Sequence, residues 1–308
     1  MRKTTKARLG AGVALPIAIV GAARFVAEGL PVGTIIRRTL LLAASSLMLS
    51  GEANADAAQD LFARAAPSSS QAVDHSTWDR LLKTYVKPGA DGLNRVDYAA
   101  FKKSGQSDLK LYIGKLETID PRNLDRSEQF ALLTNLYNAK TIDIVLDHYP
   151  VKSIKDISLG GTLLATFTGG PWKAEVTRLG GVELSLDDIE HGILRPIFKD
   201  PRVHYAVNCA SIGCPNIGTE AFSGAKLDQQ LDAAARAYVN HPRGVKIEDT
   251  SAAVSSIYAW FQADFGGEDR SVIAHLLKYA SPPLAEKLRT VSSISFQPYD
   301  WGLNDAAR

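Results

Sequence analysis

Two cysteines, Cys209 and Cys214, are all the thiol chemistry the chain has. With no second pair, C-x4-C does not read as a structural zinc site, and no metal or other cofactor is expected. A dinucleotide fingerprint is missing too, because Gly160-Gly161 and Gly169-Gly170 lack its spacing. Asp264-Phe265-Gly266 matches the kinase magnesium motif, but no phosphate-binding glycine loop or catalytic-loop signature accompanies it. No clean apolar run reaches the ~20 residues that span a bilayer as a helix. Ala11–Leu30 comes nearest and is interrupted by Arg24 and Glu28.

A basic surplus is also missing once the N-terminus is set apart. Arg37-Arg38, the apolar stretch Thr39–Ser50 and Ala53-Asn54-Ala55 follow the order of a secretory signal: charge, short apolar core, small-x-small cleavage site. Cleavage near Ala55 is expected, and with it a periplasmic or secreted location. An uncleaved interfacial helix is the alternative. The arginine pair also fits a loose twin-arginine pattern, which leaves the export route open. Residues 1–36 stand ahead of this signal, either because the start codon lies further on or as a genuine extension. Residues 1–55 hold seven of the 35 Lys and Arg and two of the 33 Asp and Glu, so 28 basic and 31 acidic side chains remain, near −3 rather than +2. No basic stripe is left to bind nucleic acid or an anionic membrane.

What is present is an ordinary globular composition, 45% hydrophobic and 22% charged. Residues 56–74 read as a flexible Ala/Ser-rich lead-in, and residues 75–304 as one domain. The fold class expected is α+β, with helices around a buried central helix packed on a small, mainly antiparallel sheet. That central helix opens at Asp125-Arg126-Ser127-Glu128, which has capping-box spacing, and its apolar residues occupy nearly all faces up to Tyr149. Gly180-Gly181 between two apolar runs predicts a tight hairpin with positive φ at both centres. Leu186–Leu194 reads as a short helix stopped before Pro196. Arg202–Asn208 reads as a strand, with Val203, Tyr205 and Val207 on one face.

The chemistry concentrates where that strand ends. Cys209 and Cys214 flank a tight loop with Ser211 and Gly213, short enough for a disulfide, which would stabilise by only ~2 kcal/mol across so small a ring. The other reading makes Cys209 a nucleophile, its pKa lowered by a helix terminus or an imidazole. Asp187, His191 and Arg195 recur at helical spacing. They form either a solvated polar face or a base (His191) oriented by Asp187, with Arg195 for an anionic group. His204, without an acidic neighbour in sequence, is a weaker rival. Asn135 and Asn138 lie one turn apart on the most apolar helix and need partners there. They either satisfy backbone or line a site, with Asn138 orienting a histidine. Trp301 in the tail is expected to pack.

Leu136-Tyr137-Asn138-Ala139, Asp188 to Arg195, Asp200 to His204, Asn208 to Pro215 and Asp300 to Asn304 together resemble the family called domain of unknown function 547, over about Trp78 to Asn304. Members often have Trp-Ile-Asn where this chain has Leu133-Thr134-Asn135. The resemblance supplies no reaction, but bacterial members are often predicted to be exported. An analogy with papain and transglutaminase folds is limited by chain order, which here is Asn138, His191, Cys209. Two functions follow. One is an exported domain stapled by Cys209–Cys214, binding a small molecule or peptide in a polar pocket of Asn138, His191, Arg195 and Asn208. The other is a thiol hydrolase or transferase with Cys209 as nucleophile, His191 as base and Asn208 or backbone amides receiving the oxyanion.

Overall fold

The computed structural model describes residues 57–159 and 170–307. The signal sequence, the arginine pair and Gly160-Gly161 lie outside them. From residue 75 the chain forms α1 (Ser76–Tyr85), β1 (Val86–Pro88), β2 (Asn94–Val96), α2 (Tyr98–Ser104), α3 (Gln106–Glu117) and α4 (Arg126–His148). There follow β3 (Glu175–Leu179), β4 (Val182–Ser185), α5 (Asp188–Phe198), the single turn α6 (Val203–Ala206), α7 (Leu227–Val239), β5 (Val245–Glu248) and β6 (Ser251–Ser255). The short α8 (Ile257–Trp260), α9 (Asp269–Tyr279), α10 (Pro282–Arg289) and β7 (Ser293–Gln297) complete it. The class is α+β.

α4 is the central element. The Asp125 carboxylate caps it by accepting from the Glu128 amide (2.8 Å), and every residue from Glu128 to Ala139 is buried. The capping box is only half made. Glu128 reaches instead to the Gly224 amide (3.0 Å), and a Cβ on Gly224 would meet the Glu128 side chain at 2.8 Å. α4 packs on α2, α3, α5 and the turn at Gly224–Lys226, so helices rather than a sheet cover it. The strands form three small sheets: the antiparallel pairs β1–β2 and β3–β4, and β5–β6–β7, in which β6 and β7 run parallel. Gly180 (φ 57) and Gly181 (φ 87) make the β3–β4 turn as expected. Packing also begins before His75: residues 57–63 are helical, and Ala58, Leu61 and Phe62 are buried in the core.

Two departures from the sequence pattern shape the site. α5 is wound as a π-helix and carries Pro196 inside it, ending only where Lys199 turns left-handed (φ 52). Wide winding of this kind is uncommon and concentrates at functional sites. The expected strand Arg202–Asn208 is a helical turn followed by an extended Val207. Asp200 tightens the chain just before this turn, its carboxylate accepting from the Arg202 amide (2.9 Å) and its carbonyl from the Val203 amide (3.1 Å). The turn sits between two apolar clusters, one holding Val203 and Ala206, the other Tyr205.

Two buried histidines sit in these clusters. His75 meets the Tyr112 hydroxyl (2.7 Å) and His275 that of Tyr205 (2.8 Å). Burial holds each imidazole at about 4. The folded pKa lies below the unfolded value, so the unfolded chain binds more protons between the two. Stability is then complete above about pH 6.5 and lost as pH falls toward 4, by roughly 3 kcal/mol for each histidine. Urea midpoints measured across that window should fall steeply with acid. A flat profile contradicts the assignment.

Candidate functional site

The segment between α6 and Cys214 is fixed by amides. Asn138 of α4 donates to the Ala206 carbonyl (2.9 Å) and accepts from the Asn208 amide (2.8 Å). Asn208 in turn donates to the Pro215 carbonyl (2.6 Å) and accepts from the Ala210 amide (2.9 Å). Ala210 has φ 57, a left-handed conformation that costs a non-glycine residue ~1–2 kcal/mol. The C-terminal tail holds it there, through the Asn304 amide on the Ala210 carbonyl (3.1 Å) and a bridge between Ser211 and Leu303. Asn138 and Asn208 are thus fully engaged and do not line the cleft. Asn135 is also taken up by backbone, pairing with both the carbonyl and the amide of Phe222 (2.8 and 3.0 Å).

This scaffold places Cys209 in a cleft of about 270 Å³ shared with Glu190, His191 and His204. The opposite wall is aromatic. Trp260, Tyr299 and Trp301 are in mutual contact, with ring centroids 4.7–5.9 Å apart, and Trp172 lies edge-on to Trp301. The pocket is therefore apolar on one side and ionisable on the other, unlike the polar pocket of Asn138, His191, Arg195 and Asn208 read from the sequence, of which only His191 lines it. Trp301 packs, as expected, and lines the cleft as well.

The expected disulfide is absent. Both cysteines are free, with sulfurs 2.7 Å apart, well beyond the ~2.05 Å of a bond. The Cys209 amide donates to Cys214 Sγ (3.0 Å), and Cys209 Sγ is approached by the hydroxyls of Ser211 (3.2 Å) and Tyr299 (3.3 Å). Hydrogen bonds from Cys214, and then from Ser211 and Tyr299, pull the Cys209 thiol below its ordinary value against the effect of burial. Burial pushes Cys214 well above its own. The two thiols are therefore unequal: half-buried Cys209 ionises first, and buried Cys214 stays a donor.

The α5 side chains fall differently from the expected stripe. His191 is half-exposed on the cleft wall. Its nitrogens lie 3.9 Å from both Asp187 and Glu190, too far for hydrogen bonds, and Arg195 approaches Nδ1 at 3.3 Å. No hydrogen bond joins His191 to Cys209 among the described residues. Arg195 is committed to Asp264 by two hydrogen bonds (2.6 and 3.2 Å) and lies over the Phe261 ring. His204 is fully buried, with Nε2 on Asp264 (2.7 Å) and its ring stacked on Phe261.

Sequence reasoning passed over four of these residues. Glu190 is buried and hydrogen-bonded by Tyr137, and its burial raises the carboxyl above the ordinary range despite the pull of His191. Tyr299 and Asp264 come from distant loops. Only Glu190 left a signal, as an acid at the edge of the apolar face Leu186, Ile189, Ile193. Among the described residues no group of three or more His, Cys, Asp or Glu is placed to hold a metal.

Iodoacetamide labelling should reach Cys209 before Cys214, with a midpoint below that of an ordinary thiol. Tyr299→Phe removes one donor and should move that midpoint upward. Equal labelling of the two cysteines contradicts the assignment.

Residues 121–239 match the sequence model of the family described as "Protein of unknown function, DUF547". No curated protein and no solved structure matches the chain. The matched stretch runs from before the cap of α4 through α5 and the cysteine loop to the end of α7, so the ionisable side of the cleft is similar to this family, the wall of Trp260, Tyr299 and Trp301 lies outside the match, and the match supports the resemblance read from the motifs.

Proposed function

We propose that the cleft is a thiol active site for acyl transfer, a hydrolase or transferase acting on a small acyl compound or peptide. The observation that carries this reading is the convergence of three polar groups, Cys214 Sγ and the hydroxyls of Ser211 and Tyr299, on Cys209 Sγ at the cleft wall. A thiol that ionises early is a nucleophile without needing a base in contact, which suits the separation of His191. Cys209 Sγ forms a bond to the acyl carbon, and the leaving group departs with the proton of the Glu190 carboxyl. Water or an acceptor nucleophile then attacks the thioester, returns its proton to Glu190 and releases Cys209 as the thiolate. Glu190 suits the acid role because burial makes it keep its proton longer than an ordinary carboxyl, and its charged form, which opposes ionisation of Cys209, is the form that burial disfavours. The aromatic wall receives an apolar part of the substrate.

A second reading, thiol–disulfide exchange, is favoured by the Sγ–Sγ contact alone. Cys209 would attack a substrate disulfide and Cys214 would release the mixed disulfide. In both readings the mature chain works in the periplasm or outside the cell.

Incubation with p-nitrophenyl acetate separates these. Acyl transfer predicts an acetyl adduct on Cys209, formed faster than on free cysteine at the same pH and lost in Cys209→Ser. Labelling no faster than free cysteine contradicts it. Oxidation of both cysteines by oxidised glutathione, with release of two reduced equivalents, favours exchange. For export, N-terminal sequencing of protein from a periplasmic fraction should begin at Asp56. An intact leader on cytoplasmic protein contradicts that placement.

A further inference from the structure

Behind the cleft lies a chain of buried and partly buried ionisable groups that nucleophilic attack by Cys209 does not itself use. Arg195 and Asp264 are joined by two hydrogen bonds. The same Asp264 Oδ2 lies 2.7 Å from His204 Nε2, and on the far side of the imidazole Nδ1 stands 3.8 Å from Glu190 Oε1. The His204 side chain is 1% exposed, and the ring is clamped in plane against Phe261, with centroids 4.3 Å apart and planes 12° from parallel. The Asp264 carboxylate can only accept, so Nε2 must carry a proton. A neutral imidazole with Nε2–H has a bare lone pair on Nδ1, the nitrogen that stands 3.8 Å from Glu190, beyond hydrogen-bond length and within electrostatic reach.

We propose that Asp264, anchored by Arg195, locks His204 in the Nε2–H form, and that the bare Nδ1 so presented is the positioning device that keeps the proton on Glu190. The proposal rests on the reading of Glu190 as the acid of the cleft. A lone pair facing a carboxyl favours its protonated form, whereas an N–H facing it favours the carboxylate. The tautomer of a buried histidine therefore adds a bias toward the acid or the base form of Glu190, on top of the burial that raises its carboxyl. Burial also keeps His204 uncharged, lowering its pKa while Asp264 pulls the other way. The other ionisable groups that act on Glu190 are His191, Arg195 and Asp187 from its own helix and Tyr137 from α4, and its charge in turn reaches Cys209. None of these is locked by a carboxylate at hydrogen-bond distance with its free nitrogen toward Glu190. Asp264 and His204 act through Glu190 and are positioning residues, with no contact to the acyl group required.

Long-range 15N NMR of the histidines in the full chain reads the tautomer directly, and 13C-labelled glutamate reads the Glu190 titration. The wild type should show His204 as neutral Nε2–H at neutral pH. Asp264→Asn can donate to Nε2 and release the lock. His204 should then shift to Nδ1–H, and the Glu190 midpoint should fall. Asp264→Glu, which restores a carboxylate, should return both toward wild type. Two results overturn the proposal: a wild-type His204 that is Nδ1–H or charged at neutral pH, or an unchanged Glu190 midpoint in a folded Asp264→Asn variant. If that variant does not fold, the wild-type tautomer alone decides. These readings need no substrate. A failed acyl-transfer reading would appear separately, as p-nitrophenyl acetate leaving Cys209 unlabelled while the tautomer lock is still observed.

Discussion

The Asn138 side chain, buried in the middle of α4, donates to the carbonyl of Ala206 and accepts from the amide of Asn208. With this single amide the most buried helix grips the chain one residue before Cys209. Those two backbone groups are buried, where an unmade hydrogen bond costs ~1–3 kcal/mol. The segment has little freedom to move away. Its other restraints, from the Asn208 side chain to the C-terminal tail, are built on a chain already held in place by α4. The neighbouring Tyr137 reaches Glu190, so adjacent residues of one helix address both sides of the proposed chemistry.

What the scaffold achieves is an uneven distribution of protons among buried groups. Of two thiols in contact, half-buried Cys209 is the easier to ionise, because its hydrogen bonds with Cys214, Ser211 and Tyr299 lower its pKa while burial raises that of Cys214. Of the carboxyls near the cleft, Asp264 is held well below the usual range by His204 and Arg195, while Glu190 is raised by burial. Environments that drive like groups apart in pKa are how a site assigns acid and base roles. Here the same helix, α5, supplies the raised carboxyl and the guanidinium that anchors the lowered one.

Much of the frame was legible in the sequence, because local rules and tertiary packing agree there. The Asp125 cap, the all-round apolar pattern of α4 and the paired glycines of the β3–β4 turn each admit one physical solution. Legibility failed where two rules compete. Val203, Tyr205 and Val207 alternate as a strand does, yet the Asp200 hydrogen bonds to the Arg202 and Val203 amides and the burial of all four residues from Val203 to Ala206 favour a helical turn. Pro196 reads as a stop for an α-helix, whereas the π-wound α5 passes it, which carries Glu190 into the site and leaves Asp187 short of His191. The cysteine spacing admitted a disulfide, and the structure has two thiols instead. Asp264 was invisible for another reason: its role depends on His204 and Arg195, 60 and 69 residues away, and no local pattern encodes such a meeting. The domain start was misplaced because Leu61 and Phe62 sit in an Ala/Ser-rich stretch whose composition suggests flexibility.

The central claim is that one sulfur gives up its proton early while one buried carboxyl keeps its proton late. Infrared difference spectra recorded through a pH titration see both bonds at once. The account predicts that the S–H band of Cys209 disappears before that of Cys214, while a carboxylic-acid band persists above the ordinary carboxylate range and is lost in Glu190→Gln. Simultaneous loss of the two S–H bands, with no such carboxyl band, would contradict it.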